Sequence, residues 1–332
     1  MLNPKLKLNP KIFSEDVEQI PIRKGFGQGL LLAGEQDKNV VALCADLVES
    51  TQMYLFADKF PDRFIEIGVA EQNLVTTASG MSAMGKIPFC SSYAIFSPGR
   101  NWEQIRTTIA YNDRKVVIVG SHAGVSVGPD GGSHQALEDI ALMRAMPNMD
   151  VVSPCDAIEA EKATIALSKT KGPAYLRLAR EKTPIITTKE TPFEMGKGEI
   201  YWIPEVGLAQ VGIIVTGSLT YQALLSAKEL EAEGIKTKVL NLSSIKPIDK
   251  DAILNLAKET KALVTVEEHQ IAGGMGSAVA EVVASNYPVP IEFIGVNDKF
   301  GQSGTPKELI EHYGLDKNSI KEAVKKVLNR KA

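Results

Sequence analysis

The stretch Arg63-Phe-Ile-Glu-Ile-Gly-Val-Ala-Glu71-Gln-Asn-Leu-Val-Thr-Thr-Ala-Ser-Gly-Met-Ser-Ala-Met84 passes from a short apolar run to a run of small and apolar residues. The first run predicts a buried strand and the second a buried helix, with Glu71 at the junction. Burial disfavours the charged form of a carboxyl, so a group placed here can hold or donate a proton near neutral pH. The alternative, which the residue alone favours, is a helix-start carboxylate stabilised by the helix dipole.

The alternation of apolar strand and helix continues on both sides of this junction. It predicts a first set of strands at residues 39–46, 64–67, 87–90, 115–120, 150–153 and 173–178, and a second set at 211–216, 237–241, 262–267 and 291–295. Such alternation is typical of mainly parallel sheets with helices on both faces. Residues 180–208 carry prolines, threonines and charges without clear periodicity. We therefore predict an α/β fold with two domains, residues 1–190 and 209–332, joined by a linker at residues 191–208.

The composition excludes several classes of protein. The 332 residues are 44% hydrophobic and 23% charged, as in ordinary soluble globular proteins, and the formal net charge of −3 gives no general attraction to nucleic acid or to an anionic membrane. The first ten residues are too polar for a signal peptide, and no run approaches the roughly 18 apolar residues that span a bilayer. Cys44, Cys90 and Cys155 form neither a disulfide framework nor a zinc pattern, which favours a reducing, cytoplasmic compartment.

A glycine-rich polar loop follows the predicted strand at residues 115–120. His122, Asp130 and His134 lie within a span of thirteen residues in this loop, at the carboxyl end of a predicted parallel strand, where open α/β sheets bind ligands. Histidines there can donate to an anion or move a proton. A structural loop with helix-capping residues is an equally weighted alternative. A metal site is a weaker one, because the spacing matches no common ligand pattern.

Two further groups of residues are candidates for binding. The segment from Pro88 to Arg100 places Tyr93 and Phe96 between a predicted strand and a predicted helix, where aromatic rings can stack on a flat heterocycle. Aromatic residues with this spacing more often belong to the core. Arg23, Arg177 and Arg180 are candidates to clamp a phosphate or a carboxylate, although each alone is more typical of a surface or ion-paired arginine.

Taken together, in order and spacing, these parts resemble the C-terminal half of transketolase. The matching parts are Arg23-Lys24, Ala45-Asp46-Leu47 with Ser50, Gly68-Val-Ala-Glu71, Tyr93-Ala-Ile-Phe96, His122, Gly128-Pro-Asp130-Gly-Gly-Ser-His134-Gln135, Arg144-Ala-Met-Pro-Asn148, Arg180 and Phe300-Gly-Gln-Ser-Gly304. The resemblance extends from about Val17 to the C-terminus. Each motif alone is weak, but the combination is highly specific.

The resemblance implies a cofactor, thiamine diphosphate, and a role for each matching residue. Glu71 would hydrogen-bond the ring nitrogen of the aminopyrimidine and favour its imino tautomer, which takes the proton from the thiazolium carbon. The other implied roles are stacking on the pyrimidine by Phe96 with Tyr93 beside it, a position near the cofactor for Asp46, sugar-phosphate binding by His122, Arg23, Ser50 and Arg180, and binding of substrate hydroxyls by Asp130 and His134. Glu71, His122 and His134 are thus the candidate catalytic residues.

The resemblance also implies a partner subunit. A complete transketolase has a further N-terminal domain whose Gly-Asp-Gly motif holds a metal ion, Mg²⁺ or Ca²⁺, on the diphosphate, and no Gly-Asp-Gly occurs here. We therefore expect one half of a split transketolase, with no metal site of its own, that forms its active site with a separate N-terminal subunit in an α2β2 assembly. The expected reaction is transfer of a two-carbon ketol unit between sugar phosphates in the pentose phosphate pathway.

Three alternatives remain at this point. The β subunit of a 2-oxo acid dehydrogenase shares the architecture and the catalytic glutamate, but its substrates carry no sugar phosphate. A half-length relative of deoxyxylulose phosphate synthase is a second alternative. A scaffold that kept the fold and lost its partner is a third, which the intact Glu71 and polar loop disfavour.

Overall fold

The computed structural model describes residues 1–331, and the last residue of the predicted second domain, 332, lies outside this range. The strands are β1 (Gln19–Pro21), β2 (Val40–Cys44), β3 (Phe64–Glu66), β4 (Ile87–Tyr93), β5 (Val117–Ser121), β6 (Asp150–Val152), β7 (Ala174–Arg177), β8 (Lys182–Pro184), β9 (Glu199–Trp202), β10 (Val211–Val215), β11 (Thr237–Asn241), β12 (Ser244–Lys246), β13 (Leu263–Gln270) and β14 (Ile291–Val296). The helices are α1 (Ile22–Gln36), α2 (Tyr54–Lys59), α3 (Glu71–Ala83), α4 (Trp102–Gln104), α5 (Asp139–Arg144), α6 (Ala157–Lys169), α7 (Thr220–Ala232), α8 (Lys250–Thr260), α9 (Met275–Asn286), α10 (Pro306–His312) and α11 (Lys317–Leu328).

Two mainly parallel sheets organise these elements, which confirms the predicted fold class. The first has the order β12-β6-β7-β5-β4-β2-β3, and every neighbouring pair in it is parallel except β12 with β6. The second has the order β14-β13-β10-β11-β9, with only β9 antiparallel to its neighbour. The central strands are continuous apolar runs because helices cover both faces of each sheet: every residue of β2, β5 and β10 is buried.

Close helix packing explains the glycines near the start of the chain. Helix α1 lies against α6, and a Cβ atom added to Gly25 would stand 1.8 Å from the main-chain oxygen of Ala157. No side chain fits at that separation, so glycine allows the two backbones to approach. This packing fixes α1, and with it Arg23, against the first sheet.

The structure differs from the predicted elements in several places, among them the short strands β1, β8 and β12, which the sequence did not predict. Strand β3 is predicted to be buried, but it is the outermost strand of its sheet and is partly exposed. Strand β9 lies inside the predicted linker and pairs with β11, so that part of the segment belongs to the second sheet. Leu6, Leu8 and Ile12, at the start of the predicted first domain, are buried in the apolar cluster of the second sheet. The domain boundaries themselves remain a prediction.

No helix within residues 1–331 is both long enough and apolar enough to cross a membrane.

Candidate active site

The candidate site lies at the carboxyl edge of the first sheet. Five of its parallel strands end there, and the predicted site residues follow those ends: Asp46 and Ser50 after β2, Glu71 after β3, Phe96 after β4, His122, Asp130 and His134 after β5, and Arg180 after β7, while Tyr93 is the last residue of β4. The register holds the strand ends side by side, with Tyr93 opposite Ser121 and Gly120 opposite Arg177. Open α/β folds bind ligands at this edge.

Glu71 is the first residue of α3 and is only 2% exposed. The hydroxyl of Ser92 donates a hydrogen bond to Oε1 of Glu71 at 3.0 Å, and Nη1 of Arg100 donates to Oε2 at 2.8 Å. The side-chain amide of Asn101 donates to the main-chain oxygen of Glu71 at 2.9 Å. The carboxylate therefore faces the end of β4 and the loop after it. A carboxylate that only stabilised the start of its own helix would not need these partners.

Aromatic rings form one wall of the crevice beside this carboxylate. The rings of Tyr93 and His122 stack with their centroids 4.0 Å apart and their planes inclined by 29°. The ring of His134 meets that of Phe96 edge to face at 5.4 Å. Two of the groups predicted from the sequence are thus in direct contact. They are the aromatic segment, residues 88–100, and the glycine-rich polar loop, residues 121–135, which we call the histidine loop. The guanidinium of Arg100 lies over Phe96, 4.4 Å from the ring centroid.

His122 is uncharged at neutral pH in this environment. It is 2% exposed, and its Nδ1 lies 2.8 Å from the Ser121 hydroxyl. Burial lowers the pKa of His122 to about 3, and the nearby Arg23, Arg180 and His134 contribute in the same direction. Since a neutral imidazole has one donor and one acceptor nitrogen, His122 can hydrogen-bond a ligand but does not supply a positive charge.

Two further arginines bring positive charge to the part of the site around His122. Nε of Arg23 donates to the main-chain oxygen of Arg180 at 3.2 Å, and its Nη1 donates to the main-chain oxygen of Ser50. Nη1 of Arg180 donates to the oxygen of Val127 at 2.6 Å, and the guanidinium lies 3.7 Å from Asp130. Burial lowers the pKa of Arg23, and the charge of Arg180 adds to this effect. Two neighbouring cations that repel each other beside a neutral histidine favour an anionic ligand.

The third candidate arginine, Arg177, is not available to a ligand, and its suggested role as a clamp is wrong. It is 5% exposed, and its Nε donates to Asp139 at 2.8 Å. Its Nη2 donates to the main-chain oxygen of Glu268, on β13 of the second sheet, at 2.8 Å. Arg177 therefore connects the two sheets beneath the histidine loop.

The second sheet also braces the histidine loop directly. The carboxylate of Glu268 accepts a hydrogen bond from the main-chain nitrogen of Ser126 at 2.6 Å. Nε2 of Gln135 donates to the oxygens of Val125 and Gln302, both at 3.0 Å, and so ties the loop to the segment before α10. A Cβ added to Gly124, which has a φ of 89°, would stand 2.3 Å from Glu268, so the loop needs glycine here.

Asp46 stands apart from this cluster. Its main-chain nitrogen donates to the carboxylate of Glu66 at 2.7 Å, and within residues 1–331 its side chain makes no hydrogen bond or ion pair with the cluster. Within the same residues, no three His, Cys, Asp or Glu side chains are grouped so that they could hold a metal ion.

Sequence reasoning missed Ser92, Arg100 and Glu268. The one sequence signal for Arg100 is its spacing, four residues after Phe96. In the structure its main-chain nitrogen donates to the oxygen of Phe96 at 2.9 Å, and its guanidinium lies over the Phe96 ring. No local signal identifies Glu268, since its contact with Ser126 joins residues 142 positions apart.

These features define the class of protein: a two-domain α/β protein with a polar crevice at the carboxyl edge of a parallel sheet. Residues 18–185 match the family model of the transketolase pyrimidine binding domain, and residues 205–320 match that of the transketolase C-terminal domain. The chain therefore belongs to the transketolase family, of which it carries the pyrimidine-binding and C-terminal domains.

Individual relatives agree with this assignment. A Methanocaldococcus jannaschii protein named as a transketolase C-terminal section is 45% identical over 302 residues, which cover 90% of this chain and 93% of that protein. Human transketolase is 36% identical over 94% of this chain, but the match spans only 50% of the human protein. A solved structure described as a split-gene transketolase, an inactive β4 tetramer, superposes with a TM-score of 0.87 at 43% identity and covers 94% of this chain and 100% of its own.

Proposed function

We propose that this chain is the C-terminal subunit of a split transketolase, which transfers a two-carbon ketol unit between sugar phosphates with thiamine diphosphate. A separate N-terminal subunit would hold the diphosphate and its Mg²⁺ or Ca²⁺ ion, the two subunits would assemble as α2β2, and the enzyme would serve the pentose phosphate pathway in the cytoplasm. The observation that carries the proposal is the buried carboxylate of Glu71, which faces a crevice walled by Phe96 and by the histidine loop.

The residues present fit the aminopyrimidine end of the cofactor. The guanidinium of Arg100, a flat group with a nitrogen–carbon–nitrogen edge, lies over Phe96 at 4.4 Å and donates to Glu71 at 2.8 Å. The space between ring and carboxylate thus accepts a planar nitrogen-bearing group, which is what an aminopyrimidine is. When bound, thiamine diphosphate supplies a carbon that attacks the carbonyl of the donor sugar and then stabilises the negative charge.

Glu71 would hold the proton that the reaction moves at the pyrimidine. Its carboxylate is desolvated and is oriented by Ser92, so a hydrogen bond to a ring nitrogen is made with a fixed group in a dry site. Phe96 would support the ring from one face, with Tyr93 beside it, and Asp46 would lie near the cofactor.

The other end of the crevice suits a sugar phosphate. Arg23 and Arg180 supply charge for the phosphate, and the neutral His122 near them supplies a hydrogen bond. Asp130 and His134 would bind the sugar hydroxyls, because a carboxylate accepts from hydroxyls and an imidazole both donates and accepts. Ser50, whose carbonyl accepts from Arg23, would complete the phosphate end. A 2-oxo acid has a carboxylate that the arginines could bind, but it carries neither a phosphate nor sugar hydroxyls for Asp130 and His134, which favours the transketolase reaction.

The direct test is reconstitution. This chain, mixed with its N-terminal subunit, Mg²⁺ and thiamine diphosphate, is expected to form sedoheptulose 7-phosphate from xylulose 5-phosphate and ribose 5-phosphate, while each subunit alone forms little. Assembly is checked by size-exclusion chromatography, with α2β2 expected. A stable complex that binds the cofactor and forms no sedoheptulose 7-phosphate would contradict the proposed substrates.

The variant His122→Ala tests the phosphate end of the site. We expect the KM for the phosphorylated donor to rise about 10- to 100-fold with a small change in kcat, because a hydrogen bond to a charged group contributes about 1.5–3 kcal/mol and is made before and during the reaction. Steady-state kinetics with xylulose 5-phosphate measure this, and a non-phosphorylated ketose is the control whose KM should change little. An equal rise for both donors would assign His122 to the sugar chain instead.

A further inference from the structure

The side chain of Arg100 makes a hydrogen bond and a ring contact with the groups that are assigned to the pyrimidine ring. Its Nη1 donates to Oε2 of Glu71 at 2.8 Å, and its guanidinium carbon lies 4.4 Å from the centre of the Phe96 ring. Within residues 1–331 it makes no other side-chain hydrogen bond, ion pair or ring contact. The same side chain is 47% exposed, so it does not belong to the packed core.

We propose that the Arg100 side chain occupies the pyrimidine position in the free chain and must be displaced when the cofactor binds. The inference rests on the proposed function. A guanidinium is planar, carries N–H donors along one edge and stacks on aromatic faces, so it can satisfy both Phe96 and Glu71 when no cofactor ring is present. Glu71 is buried, and without the cofactor or Arg100 its carboxylate would retain only the hydrogen bond from Ser92.

The consequence is competition. The cofactor ring binds only molecules in which the Arg100 side chain has left the pyrimidine position. Its affinity is therefore reduced in proportion to the fraction of such molecules. A cation–π contact and a half-exposed ion pair are each modest interactions. We therefore expect the Arg100 side chain, when it lies over Phe96, to weaken binding of the pyrimidine ring by roughly 3- to 30-fold. Because Arg100 lies on the loop between β4 and α4, its exposed guanidinium can move into solvent without a change in the sheet.

The first experiment uses the chain alone and a probe that lacks the diphosphate, so that no partner subunit is needed. The probe is 4-amino-5-hydroxymethyl-2-methylpyrimidine, titrated into the wild-type chain, Arg100→Ala and Arg100→Lys and followed by NMR shifts. We expect Arg100→Ala to bind the probe roughly 3- to 30-fold more tightly than the wild type. Arg100→Lys should lie between the two, because lysine keeps the charge but lacks the planar fork. Arg106→Ala, which removes an exposed arginine six residues further on, is the matched control and should bind as the wild type does.

The second experiment repeats the comparison in the complex with the N-terminal subunit, by calorimetric titration of thiamine diphosphate. The same order of affinities is expected. Equal or weaker binding by Arg100→Ala, with its melting temperature unchanged, overturns the inference and leaves the proposed function in place. If Arg100→Ala does not fold, Arg100→Lys decides alone, since equal affinity in that variant is also a contradiction. If no variant of a well-formed complex binds the cofactor, the proposed function fails and the inference falls with it.

Discussion

Replacing Glu71 by alanine is expected to lower ketol transfer by about 10²- to 10⁴-fold, which is the usual contribution of a positioned general acid or base. The carboxylate is the one buried acid that faces the space over Phe96 within residues 1–331, and its two hydrogen-bond donors, Ser92 and Arg100, cannot replace its function. The decisive measurement is hydrogen–deuterium exchange at the thiazolium carbon of the bound cofactor, in the complex with the N-terminal subunit. This exchange reports proton transfer without requiring any sugar, and it should slow by a similar factor.

The fold should survive this substitution. Arg100 is half exposed and can return to water once its partner is lost, and Ser92 needs only one new hydrogen bond. Thermal unfolding of the variant should therefore resemble that of the wild type. Glu71→Gln, which preserves shape but cannot take up a proton, should show the same slow exchange. Glu35→Ala, an exposed glutamate in the last turn of α1, is the control. Normal exchange in Glu71→Ala would remove the role assigned to this residue.

The sequence predicted the position of the site better than its internal contacts. Glu71 and His122 were found because each follows an apolar strand, and the carboxyl ends of parallel strands must meet at one edge of the sheet. Only two things are needed for this prediction: the local sequence patterns that mark strands and helices, and the rule that strands joined by helices run parallel. It identifies which residues share an edge, but it does not say which way each side chain turns.

Long-range pairing accounts for most of what the sequence could not show. Arg177 looked like Arg180, since both lie at the end of the same predicted strand, but Asp139 lies 38 positions away from Arg177 and takes it out of the crevice. Strand β9 is short and lies in a polar segment, so only its pairing with β11 makes it a strand. The brace from Glu268 to Ser126 joins the two sheets and has no local sequence signal.

The interior of the protein beneath the histidine loop should be the most sensitive part of the fold. Asp139 is fully buried, and it accepts hydrogen bonds from Arg177 at 2.8 Å and from the hydroxyl of Tyr175 at 2.7 Å. Burial raises the pKa of Asp139, but the Arg177 guanidinium, together with His269 and the hydrogen bond from Tyr175, outweighs burial and holds the pKa below its usual value of 3.8. The pair therefore stabilises the fold above that pH, and this stabilisation is lost as the pH falls through the lowered pKa.

Arg177→Met is expected to destabilise the chain by about 3–5 kcal/mol near neutral pH, because it leaves the Asp139 carboxylate buried without its cation. In the variant burial acts on Asp139 without the opposing guanidinium, so the pKa of Asp139 in the folded state should rise above its value in the wild type. The penalty should then grow as the pH rises from acid to neutral and should shrink toward low pH, where the carboxyl is protonated in both states. Denaturant unfolding of wild type and variant across this range measures the difference.

The double variant Arg177→Met/Asp139→Asn separates a charge effect from a packing effect. Without a buried charge, its stability should recover much of the loss at neutral pH and should depend less on pH than that of Arg177→Met. A loss of stability in Arg177→Met that is the same at every pH would mean that lost packing, and not the unpaired charge, causes it.

Arg177 also donates to the oxygen of Ala136 at 3.4 Å, next to the histidine loop. The double variant should therefore keep a raised KM for sugar phosphates even where its stability has recovered, because the Asp139→Asn change removes the unpaired buried charge but does not restore the contact that holds the loop.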